Sequence, residues 1–169
     1  MKLNIARALA PALAAALALA APGAARAQGL GIALGTKAPN SPVYTLDGRK
    51  TDLGQFIGKT PTLIEFWATW CPNCHELEPT MKAMAAKYGS QIRFVRVAVS
   101  VNESPARVKA FVAKYGIPGT QLFDTDGDAS GQYDAPATSY VVVLDKTGTV
   151  VYTGLGGKQD IEAAIRKAL

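Results

Sequence analysis

The feature that most constrains the fold is an apolar run that leads directly into a pair of cysteines. Residues Thr62 to Trp67 read T-L-I-E-F-W, and Cys71 and Cys74 follow within a few positions. A mostly apolar run of this length is typical of a central strand covered on both faces. Pro72 suits the first position of a helix, because its missing N–H would lack a partner there. The sequence therefore predicts a buried strand that delivers two cysteines to the start of a helix.

Beyond this segment, strand-like and helix-like stretches alternate along the chain. The predicted strands are Thr62–Trp67, Tyr44–Leu46, Ile92–Val99, Gln121–Phe123, Tyr140–Leu144 and Thr149–Tyr152. The predicted helices run from Pro72 to Tyr88, from the Ser104-Pro105 start to Tyr115, and from Asp160 to Leu169. This order indicates one α/β domain, with a central mixed β-sheet flanked by helices.

Two of these helices carry apolar stripes that should face the core. The stripe of the first consists of Leu77, Met81, Met84 and Tyr88. The stripe of the second consists of Val108, Phe111, Val112 and Tyr115. Both patterns favour helices that pack against the sheet.

The first 27 residues have the pattern of a cleavable signal peptide. Lys2 and Arg7 give a basic start, residues 8–21 are rich in Ala and Leu, and Ala25-Arg26-Ala27 is a small-x-small cleavage site. We therefore divide the chain into a signal peptide, residues 1–27, and one domain, residues 28–169, that opens with an N-terminal extension. An uncleaved anchor is the alternative. Either interpretation predicts a periplasmic or otherwise extracytoplasmic protein.

Charge argues against a nucleic-acid partner. The whole chain carries a formal net charge of +5, and residues 1–27 contain three basic residues and no acidic ones, which leaves +2 for the remainder. The other basic residues are scattered, without the basic runs that nucleic-acid binding requires. We expect a monomer that does not bind nucleic acid.

The two cysteines are better placed for chemistry than for stability. A disulfide that closes so short a loop removes little entropy from the unfolded chain. At a helix start, free N–H groups and the positive end of the helix dipole stabilise a thiolate, so the pKa of Cys71 should lie below about 8.5, the value of a free thiol. Cys74, one turn later, can resolve a mixed disulfide. We expect Cys71 to attack, Cys74 to resolve, and no cofactor or metal beyond this redox-active disulfide.

The sequence F-W-A-T-W-C-P-N-C resembles the active site of the TlpA/ResA-type thiol–disulfide oxidoreductases of the thioredoxin superfamily. The resemblance covers about residues 35–169 and includes the opening Gly35-Thr36-Lys37-Ala38-Pro39. It implies a thioredoxin-like fold and disulfide exchange with protein substrates. It also implies a reducing role, with electrons from a membrane thiol carrier, and points to cytochrome c maturation as one setting.

Glu65 is the charged residue of the apolar run and lies six positions before Cys71. This spacing resembles that of the buried acid of thioredoxin, which relays a proton to the resolving cysteine. Burial would raise the pKa of Glu65 and suit it to proton transfer near neutral pH. The alternative is an acid at a sheet edge, paired with Lys or Arg.

Two departures from the family pattern concern Glu and Pro. Many relatives carry Glu three residues after the second cysteine, where this chain has Leu77 between two glutamates, Glu76 and Glu78.

The family also places a cis-proline opposite the active site. Counting back from Gly148 without gaps puts Ser139 there, after Thr138, whereas Pro136 lies three residues earlier. We expect the cis-proline to be missing, with a slipped loop that uses Pro136 as the alternative. The predicted substrate-contacting residues are Trp70, Pro72, Thr138 and Ser139.

Three other functions compete for the same motif. Cys71, Cys74 and His75 form C-x-x-C-H, the attachment site of c-type haem. The same three side chains could bind Cu(I) in a copper chaperone. A peroxiredoxin-type peroxidase would need Pro and Ser or Thr where this chain has Ile64 and Ala68, so that motif fails.

Overall fold

The computed structural model describes residues 30–169, and the predicted signal peptide, residues 1–27, lies outside them. In the described part, seven strands form one sheet in the order β2-β1-β5-β4-β3-β6-β7. The strands are β1 (Pro42–Thr45), β2 (Lys50–Asp52), β3 (Thr62–Trp67), β4 (Arg93–Val99), β5 (Thr120–Asp124), β6 (Tyr140–Leu144) and β7 (Val150–Leu155). The helices are α1 (Pro72–Tyr88), α2 (Pro105–Tyr115), α3 (Asp128–Gln132) and α4 (Ile161–Arg166), with a 3₁₀ turn at Leu53–Gln55.

Strand β3 lies in the interior of the sheet. It pairs in parallel with β4, where Ile64 lies opposite Val95, and antiparallel with β6, where Ile64 lies opposite Val142. Strand β4 continues in parallel to β5, and the outer pairs are antiparallel. The sheet is therefore mixed, as the order of elements predicts.

Both faces of β3 are covered, which explains its continuous apolar sequence. On one face, Ile64 and Phe66 pack in a core that includes Tyr133 and Tyr140. On the other face, Leu63 packs against side chains of α1 and α4. All residues of β3 are buried. Helix α2 covers the sheet beside the cysteines and buries Val108 there. The end of β3 is thus a rigid base for the loop that leads to Cys71.

Helix α2 and the C-terminal helix differ from their predicted form. Tyr115 is 46% exposed, so the apolar stripe of α2 ends before it. Ser104 caps α2 as predicted, since its hydroxyl accepts the Arg107 N–H at 3.2 Å. Helix α4 is shorter than the predicted 160–169 range. The short elements β2 and α3 were not expected from the sequence.

Membrane-spanning helices are absent from residues 30–169, where no helix is both long and apolar enough to cross a bilayer.

Two glycines between α2 and β5 provide a test of this packing. Gly116 has φ +61° and a Cβ there would meet nothing within 4 Å, whereas a Cβ at Gly119 (φ +92°) would lie 2.7 Å from the Phe94 carbonyl oxygen. We expect Gly116→Ala to lower the free energy of unfolding by about 1 kcal/mol, the strain of a left-handed residue. Gly119→Ala should cost roughly twice as much or more, because the backbone must also shift. Urea denaturation measures both, and equal losses would contradict the close approach.

Candidate active site

The two cysteines lie where the sequence predicts, at the start of α1. Cys71 is the N-cap residue with an extended backbone, and Pro72 is the first residue of the helix. A disulfide joins Cys71 to Cys74, with 5.3 Å between their Cα atoms. The Cys74 N–H points at the Cys71 sulfur, which it approaches to 3.1 Å. The helix therefore directs an amide donor at the first sulfur, as stabilisation of a thiolate there requires.

Glu65 lies fully buried in the middle of β3. Its carboxylate forms an ion pair with Arg96 of the neighbouring β4, with 2.7 Å between Glu65 Oε2 and Arg96 Nε. Burial raises the pKa of Glu65 to about 7, although the positive charge of Arg96 opposes the rise. The sheet-edge alternative for Glu65 is wrong, because β3 is an interior strand. The basic partner that this alternative expected is nevertheless present.

Glu78 is a second carboxylate at this cluster, and sequence reasoning left it without a role. It accepts a hydrogen bond from Arg96 Nη2 at 2.8 Å. Its charge adds to the rise in the pKa of Glu65. Arg96, itself 1% exposed, lies 5.1 Å from the centre of the Trp67 ring. The signal in the sequence was the spacing of Glu78 from Cys74, four residues later and so on the same helix face.

One oxygen of Glu65 is free to hold a proton. Within residues 30–169, neither oxygen of Glu65 accepts a hydrogen bond, although Oε2 forms the ion pair with Arg96, and the indole N–H of Trp67 also lacks a partner. A carboxyl group with one oxygen paired to a cation and the other unpaired can take up a proton without breaking a hydrogen bond. The geometry thus fits proton transfer.

A cavity of about 430 Å³ opens beside the second cysteine. Cys74 and Glu78 are part of its wall, and most of the other lining is aromatic or aliphatic. The full lining is Trp67, Cys74, His75, Glu78, Pro79, Lys82, Phe111, Tyr115 and Ile117. The cavity therefore brings Cys74, the predicted resolving cysteine, and one carboxylate of the Arg96 cluster to the same space.

Trp70 and Pro72 flank Cys71 at the surface. Trp70 is 44% exposed, and its indole N–H donates to the Val101 carbonyl at 2.9 Å. Pro72 is exposed. Their predicted contact with substrate stays a prediction, and the structure gives both the accessibility that it needs.

Thr138 and Ser139 lie beside the end of β3. The Ser139 N–H donates to the Phe66 carbonyl at 2.8 Å, and the buried Ser139 hydroxyl donates to the Gly156 carbonyl at 3.1 Å. The Ser139 carbonyl oxygen also accepts from the Gly156 N–H at 3.1 Å and from Gln159 Nε2 at 3.0 Å, so each polar group of Ser139 has a partner within the fold. No peptide bond among residues 30–169 is cis, so Pro136 is in the trans form. The role of this loop in substrate binding stays a prediction.

The His75 ring is held by Thr69 and Phe111. Its Nε2 lies 2.8 Å from the Thr69 carbonyl oxygen, and its ring stacks on Phe111 with 5.5 Å between centroids. In the described part of the chain, no three His, Cys, Asp or Glu side chains are grouped as a metal site would require. The haem and copper alternatives stay hypotheses.

Comparison with known proteins identifies the family. The profile of the Redoxin family matches residues 33–169. The chain belongs to this family. A curated relative, the thiol-disulfide oxidoreductase ResA of Bacillus thuringiensis, is 31% identical over 139 residues, which cover 79% of this chain and 78% of ResA. The resemblance to the TlpA/ResA-type proteins is thus confirmed, and the protein is a thiol–disulfide oxidoreductase.

Solved structures of two bacterial proteins agree with this assignment. A candidate DsbE-type thiol:disulfide interchange protein from Chlorobium tepidum has a TM-score of 0.71 and 25% identity, and the match covers 81% of this chain and 98% of that one. A secreted Mycobacterium tuberculosis disulfide oxidoreductase homologous to E. coli DsbE has a TM-score of 0.61 and 29% identity, with 75% and 93% covered. The predicted thioredoxin-like fold is confirmed.

The pH dependence of stability should report the buried Glu65. Its pKa rises from an ordinary 4.5 to about 7 on folding, so the folded protein binds this proton more tightly than the unfolded chain. The resulting stability is complete below pH 4.5 and is lost as the pH rises to 7. At 1.36 kcal/mol per unit, the loss amounts to roughly 3 kcal/mol. Urea denaturation of the oxidised protein at several pH values should show this decline.

Glu65→Gln should remove most of that decline, since glutamine does not titrate. Glu76→Gln is the matched control, because it makes the same chemical change at an exposed glutamate. Glu76 lies in α1, the helix that also carries Glu78. The control should keep the pH dependence of the unmodified protein. An unchanged slope in Glu65→Gln would show that Glu65 is ionised throughout this range.

Proposed function

We propose that this protein reduces disulfide bonds of protein substrates outside the cytoplasm through Cys71 and Cys74. The observation that carries the proposal is the Cys71–Cys74 disulfide at the first turn of α1, with the Cys74 N–H aimed at the Cys71 sulfur. After reduction, the same donor can stabilise a Cys71 thiolate. Cys71 itself is 2% exposed in this disulfide form, and we propose that exposed Trp70 and Pro72 on either side of it form the surface that a substrate chain meets.

The reaction begins when the Cys71 thiolate attacks one sulfur of a substrate disulfide. A mixed disulfide forms, and the other substrate sulfur leaves as a thiolate that takes up a proton. Cys74 then loses its proton and attacks the Cys71 sulfur. The second substrate thiol is released, the Cys71–Cys74 disulfide forms, and two electrons have passed to the substrate.

Glu65 is the base that we propose for Cys74. A carboxyl group with a pKa of about 7 exchanges a proton readily near neutral pH. Arg96 links Glu65 to Glu78, and Glu78 shares a cavity wall with Cys74. This arrangement supports a proton path between the resolving cysteine and the buried acid.

The location and the direction of electron flow belong to the same proposal. The signal-peptide pattern of residues 1–27 supports export, and one structural relative is described as secreted. An exported reductant must be regenerated by a dithiol donor, for which we propose a membrane thiol carrier. Maturation of c-type cytochromes is one process that consumes such reducing equivalents.

A redox titration of the purified protein tests the direction. We expect a reduction potential near about −270 mV, as in thioredoxin, and not near about −120 mV, as in the oxidant DsbA. Glutathione buffers poise the protein, and the fraction of free thiol is read by alkylation and mass spectrometry. A value close to that of DsbA would refute the reductant role and leave the exchange chemistry in place.

Alkylation of single-cysteine variants tests the two roles. At mildly acidic pH, reduced Cys74→Ser should react with iodoacetamide, because Cys71 remains at the helix start. Cys71→Ser should react far more slowly, since Cys74 lies within the helix and not at its N-cap. Denatured samples of both variants provide the control for intrinsic reactivity. The reverse order of rates would exchange the attacking and resolving cysteines.

A further inference from the structure

Thr69 lies two residues before Cys71. Each of its polar groups, in the backbone and in the side chain, has a hydrogen-bond partner. Its N–H and its hydroxyl both donate to Glu103 Oε2, at 2.8 and 2.5 Å. Its carbonyl oxygen accepts from His75 Nε2 at 2.8 Å. The turn that leads from β3 to Cys71 is therefore held from two directions, by Glu103 on one side and by the first turn of α1 on the other.

Glu103 lies in the connection between β4 and α2, and its side chain is fully buried. Its second oxygen, Oε1, accepts the Ser104 N–H at 3.0 Å and lies 3.7 Å from Arg107 Nη1. A buried carboxylate is costly unless its oxygens accept hydrogen bonds, and here both do. Two of these bonds reach across 34 residues to Thr69, so the carboxylate ties the two loops together.

A further hydrogen bond joins the same two loops next to Cys71. The Trp70 indole N–H donates to the Val101 carbonyl, two residues before Glu103. This bond orients an exposed ring, whereas the Glu103 bonds hold the backbone itself. The backbone position of Thr69 determines where Cys71 enters the helix.

We propose that Glu103 is a positioning residue that, through Thr69, holds the Cys71 sulfur at the N-terminus of α1. The proposal rests on the exchange function described above. It does not require Glu103 to touch substrate or either sulfur. Its charged and titratable neighbours are Arg107 on its own side and His75 on the far side of Thr69.

The physical reason is that stabilisation by a helix start falls off steeply with displacement. The dipole and the free N–H groups act within the first turn, so a sulfur that moves away from the cap loses their effect. If the turn at Thr69 loosens, Cys71 should become less acidic and react more slowly at low pH. Glu103 carries a negative charge of its own, so an informative test must separate its hydrogen bonds from its charge.

Two matched pairs of variants separate these effects in the reduced, purified protein. Thr69→Val removes the hydroxyl, whereas Thr69→Ser keeps it. Glu103→Ala and Glu103→Gln both remove the charge, but Gln keeps an oxygen that can accept from Thr69. The readout is the pH midpoint of the Cys71 alkylation rate, with the thermal unfolding midpoint measured alongside.

In each pair, the variant that loses the hydrogen bond should have the higher alkylation midpoint. The expected difference is about half a pH unit, which corresponds to a roughly threefold smaller thiolate fraction below the midpoint. Thr69→Ser should stay close to the unmodified protein. If Glu103→Ala does not fold, the Thr69 pair decides the question, since it leaves the carboxylate in place.

Equal midpoints within the pairs that fold would overturn the proposal and leave Glu103 with a purely structural role, visible in the unfolding midpoint alone. This failure differs from failure of the proposed function. In the latter case, Cys71 of the unmodified protein would itself react like an ordinary thiol, and the two sulfurs would form no reversible disulfide.

Discussion

The interaction on which the site depends is the buried ion pair between Glu65 and Arg96. The two residues lie opposite each other on β3 and β4, in the parallel pair at the centre of the sheet. Because an unpaired buried charge costs several kcal/mol, a slip in the register of these strands would leave both side chains without partners. Glu78 extends the pair to α1, so the same arginine also fixes the helix that carries Cys74. The redox centre is thus attached to the sheet by charge as well as by apolar packing.

This pairing also explains how an acid can remain titratable inside the core. If the charge of Arg96 fully offset the cost of burying the carboxylate, Glu65 would stay ionised. If Arg96 offset none of that cost, Glu65 would stay protonated. The structure lies between these limits, since burial and the second carboxylate, Glu78, raise the pKa that Arg96 lowers. The two carboxylates share a single guanidinium, and neither oxygen of Glu65 accepts a hydrogen bond in the described part of the chain. The charges of the cluster therefore allow Glu65 to gain or lose one proton.

The sequence predicted the elements whose pattern is local. The bounds of β3 and α1 were correct, because an uninterrupted apolar run and a Pro at the first helical position are signals within a few residues. Helix α3 reads D-A-S-G-Q and has no apolar stripe, so its sequence did not predict a helix. The partners of Glu65 and Thr69 were missed for a different reason. Arg96 lies more than 30 residues after Glu65, and Glu103 lies more than 30 residues after Thr69. Only the strand order brings these partners to β3 and its loop.

The two buried glutamates near Cys71 show how one chemical group serves two purposes. Glu103 has both oxygens occupied, by Thr69 on one side and by the Ser104 N–H on the other. A carboxylate held by hydrogen bonds at both oxygens suits the fixing of a loop. Glu65 meets a cation through one oxygen and nothing through the other, so protonation costs it little. The difference lies in how fully each carboxylate is hydrogen-bonded and not in its depth, since both side chains are fully buried. Hydrogen bonding thus distinguishes the group that we propose to move a proton from the group that we propose to hold the sulfur in place.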